Sequence, residues 1–102
     1  MSWKVTFRPE VEDDVAQAAG WYERRQPGLG AEFVEDVIRT WSQFRSNPLL
    51  NSKRHPTKNL RWRFTERFPY RIVYEVDVTA KTVVVAGVFH ASRRDAVWQN
   101  RL

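Results

Sequence analysis

The apolar residues of this chain change period once along its length, and that change limits the fold more than any other feature. In the first half they recur at helical spacing. Val11, Val15, Ala18 and Tyr22 form one stripe, widened by Ala19; Phe33, Val34, Val37, Ile38, Trp41 and Phe44 form a second, broader one. From Leu60 onward the spacing is two. Leu60, Trp62 and Phe64 alternate with Arg61, Arg63 and Thr65, and Tyr70, Ile72, Tyr74 and Val76 alternate with Arg71, Val73, Glu75 and Asp77. Helices gathered in one stretch and strands in another point to an α+β fold.

Local signals place the boundaries. Trp3 to Phe7 alternates as a half-buried strand. Pro9 suits a first helical position, and Glu10, Glu12, Asp13 and Asp14 favour the positive end of the helix dipole, so a helix is predicted from Pro9 to Arg25. The same reason makes the acidic cluster a helix start rather than a metal site. Gln26-Pro27-Gly28-Leu29-Gly30 breaks that helix and reverses the chain. A second helix is predicted from Ala31 to Ser46, antiparallel to the first, ending at Asn47-Pro48. Leu49 to Lys58 reads as a polar loop. Turns at Glu66 to Pro69 and Asp77 to Lys81 join three strands into an antiparallel meander. Its last strand, Thr82 to Phe89, is almost continuously apolar, as a central strand covered on both faces would be. A short amphipathic tail runs through Val97 and Trp98. The expected order is β-α-α-β-β-β plus a short C-terminal helix, with the helical hairpin on one sheet face and arginines on the open one.

At 102 residues the chain is expected to be one domain, spanning residues 1–102. It has no cysteine, which excludes disulfides and thiolate metal sites. No signal peptide or membrane-length apolar run is visible, so a soluble, cytoplasmic protein with no membrane association is expected. The net charge of +5 is unevenly spread. Residues 1–51 carry six Lys/Arg against eight Asp/Glu, whereas residues 52–102 carry eleven against four. That asymmetry points to an anionic partner for the second half, or else to a basic surface that is simply solvated.

Several motifs, in order, resemble the RelE/ParE superfamily of bacterial type II toxins, also called plasmid-stabilisation proteins. They are Trp21-Tyr22-Glu23, Pro27-Gly28-Leu29-Gly30 with Phe33, the Arg61/Arg63 strand, the run from Phe68 to Asp77 (FPYRIVYEVD), and an ending of His90, Arg93, Arg94, Trp98 and Arg101. The resemblance covers nearly the whole chain. It implies a growth-inhibiting toxin wrapped and silenced by a cognate antitoxin in a hetero-oligomer, with one of two targets. RelE-like members cut mRNA in the ribosome without a metal; ParE-like members inhibit DNA gyrase.

Metal-free RNA cleavage needs a base, an acid and positive charge on the phosphate. Arg71 matches an arginine that RelE-like nucleases use for the charge; its alternative is an ion pair with an acid such as Glu75. Lys58, Arg61 and Arg63, with Arg93 and Arg94, would extend the basic surface that meets nucleic acid or target. His90 is the nearby group that titrates near neutrality and could act as acid or base, or merely hydrogen-bond the following turn. His55 reads as an exposed bystander, and two distant histidines make no metal site. No cofactor is expected. Where the nucleases carry a C-terminal tyrosine this chain has Trp98, and indole cannot exchange a proton near neutral pH. The ending therefore looks more like the ParE-like branch. Gyrase inhibition is the leading expectation, an mRNA endonuclease the alternative, and a non-toxic basic nucleic-acid-binding domain a reading of another class. Trp41, Trp62, Tyr74 and Phe89 are expected in the core. Trp3 and Trp98 are read first as packing residues, with an antitoxin groove or base stacking as the alternative.

Overall fold

The structure, a computed structural model, describes residues 2–92. Strand β1 (Lys4–Phe7) leads into helices α1 (Glu10–Arg25) and α2 (Leu29–Ser42), and α2 tightens into a 3-10 turn at Gln43–Arg45. Strands β2 (Lys53–Arg54), β3 (Arg61–Phe64), β4 (Tyr70–Asp77) and β5 (Thr82–His90) follow. The sheet order is β1-β5-β4-β3-β2. β1 lies parallel to β5, and every other pair is antiparallel. This is the expected α+β layering of a helical hairpin on a mainly antiparallel sheet, with β5 inside the sheet between β1 and β4.

Two boundaries differ from expectation. The segment read as a polar loop contains β2, whose Lys53 and Arg54 pair with Trp62 and Arg61. Polar residues hid it, since a two-residue edge strand buries no apolar face. Helix α2 starts two residues early, at Leu29, because Gly28 takes a left-handed φ of 89° and turns the chain directly into the helix. The C-terminal helix expected through Val97 and Trp98 lies outside the described residues.

The glycine-rich link is held in three ways. Glu23, in the last turns of α1, accepts hydrogen bonds from the Gly28 N–H (2.9 Å) and the Gly30 N–H (3.0 Å) at the start of α2. A carboxylate here satisfies orphan amides at the positive end of the next helix. Gly30 is where the helices touch: a Cβ there would lie 2.6 Å from the Ala19 carbonyl oxygen.

The main core lies between hairpin and sheet. Val11, Phe33, Val37 and Phe44 from the helical side meet Ile72, Tyr74, Val83 and Val85 from the strands. Tyr74 is fully buried, and its hydroxyl donates to the Pro48 carbonyl at 2.6 Å. Two polar residues sit inside the apolar stripe of α2. The Asp36 carboxylate accepts from the N–H groups of Arg67 (3.0 Å) and Phe68 (2.8 Å) in the β3–β4 turn, and the Thr40 hydroxyl donates to the Asp36 carbonyl. Sequence periodicity alone does not reveal Asp36. Its position three residues after Phe33 and four before Thr40 was the available signal.

Candidate functional site

Cross-strand partners share a face of the sheet, so the register sorts the candidate residues. Arg61 and Arg63 stand opposite Tyr74 and Ile72; Trp62 and Phe64 stand opposite Val73 and Arg71. Tyr74 and Ile72 belong to the core under the helices. The alternation expected for β3 is present, but its arginines point toward the helical layer rather than away from it.

Arg63 is the clearest correction. It is 7 % exposed and is built into the fold. Its guanidinium donates to Gln43 Oε1 and the Asn47 carbonyl, each at 3.0 Å, and also to the Leu50 carbonyl, while lying 5.0 Å over the Phe44 ring. The segment between α2 and β2 passes under β3 and supplies those acceptors. A planar five-donor cation can satisfy several carbonyls at once, which explains why an arginine tolerates the site. Arg61 is half-buried and donates to the Ser52 hydroxyl at 3.1 Å. Lys58 is exposed in the loop before β3. His55 is half-buried rather than exposed, and its Nδ1 accepts from the N–H groups of Thr57 and Lys58, closing that loop.

The uncovered face centres on Arg71. Its guanidinium lies 5.8 Å from the Trp62 ring centre and 5.6 Å from that of Phe64, and its Nη2 donates to the Ala91 carbonyl at 3.2 Å. Lys53 reaches the same aromatic surface, 5.7 Å from Phe64. Leu60, Val73 and Phe89 form a small apolar cluster beneath, against which Trp62 packs. Trp62 and Trp41 are thus half-buried, whereas Tyr74 and Phe89 are buried as expected. Glu75 binds Arg8 from β1's end, at 2.6 Å, and is not Arg71's ion-pair partner.

His90 is on the other face. It stands opposite Tyr70, the neighbour of Arg71, and their rings meet edge-on at 5.2 Å. Together with Asp14, Trp21, Tyr22 and Tyr70 it lines a cavity of about 370 Å³ between α1 and the end of β5. The His90 Nδ1 accepts from the Ser92 N–H at 3.0 Å, which places the neutral ring's proton on Nε2. Asp14 accepts from the Val88 N–H at 3.0 Å, pinning α1 to β5. Burial pushes the Tyr22 hydroxyl above its ordinary 10.0, with a hydrogen bond to Tyr70 working in the opposite direction. The sheet therefore separates Arg71 from His90, and pleating is the reason: adjacent residues of a strand face opposite ways. Arg93, Arg94, Trp98 and Arg101 lie outside the described residues.

Among the described residues no three His, Asp or Glu side chains come together as a metal site, and no helix is long and apolar enough to cross a membrane.

Comparison with solved structures shows this fold elsewhere. A chain of the chromosomal ParDE toxin–antitoxin system of Pseudomonas aeruginosa matches with a TM-score of 0.76 at 13% identity, covering 88% of this chain and 97% of that one. A mutant of the Escherichia coli toxin RelE in the free state matches with a TM-score of 0.70 at 17% identity, covering 100% and 99%. The RelBE2 toxin–antitoxin complex of Mycobacterium tuberculosis matches with a TM-score of 0.59 at 21% identity, covering 88% and 99%. No curated protein matches the sequence. The family profile described as ParE toxin of type II toxin-antitoxin system, parDE, matches residues 5–95. The chain belongs to the ParE toxin family of type II toxin–antitoxin systems.

Proposed function

We propose that this toxin arrests growth by binding and inhibiting DNA gyrase, and that a cognate antitoxin neutralises it. The observation that carries this reading is the placement of Arg71 and His90 on opposite sheet faces. A metal-free nuclease must bring phosphate-binding charge and a proton-transfer group to one reacting phosphate, within hydrogen-bond reach. With Arg63 committed to loop carbonyls, the three residues do not converge on one point. A toxin that works by occupying another protein needs no such convergence. The match to the ParE family points the same way.

One observation favours a second reading, ribosome-dependent mRNA cleavage. Arg71, Lys53, Trp62 and Phe64 combine cations with exposed or half-exposed rings on one surface, a combination suited to stacking bases along a phosphate backbone.

Purified toxin in a gyrase supercoiling assay, beside inducible expression in bacteria, separates the two. Gyrase inhibition predicts blocked supercoiling and a DNA-damage response. Codon-positioned mRNA cuts abolished by Arg71→Ala, with supercoiling unaffected, would replace it with the second reading. Salt-dependent binding to free nucleic acid without growth arrest would sink both.

A further inference from the structure

β1 has a neighbour on one side only among the described residues. The Lys4 and Arg8 N–H groups donate to the Lys81 and Val85 carbonyls of the β5 side, so Lys4, Thr6 and Arg8 turn their backbone groups toward β5. By alternation, the N–H and C=O groups of Val5 and Phe7 point outward from the edge. A sheet edge left in this way is a template for another strand unless something blunts it, and four residues with two outward amides is enough for a short one.

Two concavities flank this edge on its helical side and differ in chemistry. Beside Phe7 is one of about 510 Å³, walled by Val11, Val15 and Trp41. Phe7 itself is 45 % exposed, with its ring edge-on to Trp41 at 4.8 Å. Beside Lys4 is one of about 610 Å³, walled by Trp3, Ser42 and Arg45. Lys4 and Arg45 are exposed, Lys81 lies 5.7 Å from the Trp3 ring, and none of these cations makes an ion pair among the described residues. An apolar hollow thus sits at one end of the open edge and a cationic one at the other.

We infer that β1 is extended by a strand of the antitoxin, a short segment that places an apolar side chain against Phe7 and Trp41 and an acidic one near Lys4 and Arg45. This rests on the antitoxin-neutralised reading above and names the surface used. Backbone pairing would supply affinity and the two hollows would supply side-chain selection and direction. A second copy of this chain fits less well. Antiparallel pairing about Thr6 would set Lys4 of each copy against Arg8 of the other, placing like charges opposite one another.

The test is amide hydrogen exchange on the toxin co-expressed with the antitoxin of its own operon, against free toxin. Slowed exchange at Val5 and Phe7 in the complex is expected. Phe7→Pro removes an outward N–H without touching the β5 ladder, and Arg45→Glu reverses one exposed charge; each should weaken the purified complex by about tenfold or more. Unchanged exchange and unchanged affinity in a complex that does form would overturn the strand addition while leaving the antitoxin reading intact. Protection that grows with concentration in free toxin would overturn it in favour of self-pairing. Failure of wild-type toxin to bind its antitoxin would remove both.

Discussion

The Asp36 carboxylate accepts a 2.8 Å hydrogen bond from the Phe68 N–H, joining the buried face of α2 to the turn between β3 and β4. The same carboxylate takes the Arg67 N–H at 3.0 Å, and Arg39 stands 3.5 Å from its other oxygen. The turn begins the FPYRIVYEVD run, and its Phe68 ring packs against Phe33 and Tyr22. One buried carboxylate therefore anchors the strand that carries Arg71.

Asp36→Ala leaves those turn amides without their acceptor. Buried donors left unsatisfied, and the loss of charge-assisted bonds, put the cost on the order of 3 kcal/mol. The urea midpoint should fall accordingly, and Asp36→Asn should recover only part of it because the amide is a weaker acceptor.

Gly28 and Gly30 should respond to alanine for different reasons. At Gly30 the new Cβ would lie 2.6 Å from backbone, at the Ala19 oxygen, so the helices must separate. Overpacking of this kind costs about 1–3 kcal/mol. At Gly28 nothing lies within 4 Å, but φ is 89°, and the cost is only the backbone penalty of roughly 1 kcal/mol. Thermal melts of the two variants should rank Gly30→Ala as the less stable.

Burial raises the Tyr74 pKa above 10.0, against weaker lowering by Ser52, Arg63 and Arg61. Above pH 10 the unfolded chain gives up this proton first, while the folded chain retains it. The contribution is complete below the unfolded value and falls as pH rises toward the folded one. Stability measured by urea unfolding should therefore decline above about pH 10. Tyr74→Phe should flatten that slope and lower stability at neutral pH by about 1–2 kcal/mol, since the Pro48 carbonyl loses its donor.

Arg63 and Arg71 look alike in sequence and should behave differently. Arg63→Ala strips donors from Gln43 and two loop carbonyls and empties a site against Phe44, so its urea midpoint should fall below that of Arg71→Ala. Arg63→Lys should not restore it, because an ammonium cannot span acceptors that a planar fork reaches. Equal midpoints for the two alanine variants would contradict this division.

The sequence by itself determined the parts governed by neighbouring residues. The change of apolar period identified both long helices and the β3–β4–β5 meander; Pro9 with its acids and the Pro27–Gly30 breaker marked where helices start and turn. The family was legible in the order of those same motifs. Which residues share a face was also legible, since Arg61 and Arg63 do alternate with Trp62 and Phe64. Which face the helices cover was not, because a period of two is symmetric between the two sides. Tertiary structure decided it: the segment from Gln43 to Leu50 carries its acceptors under β3, making an arginine stable where an apolar residue was expected. The parallel pairing of β1 with β5 and the turn-anchoring role of Asp36 were settled in the same way. Each depends on groups brought together from distant parts of the chain, and local periodicity holds no record of such partners.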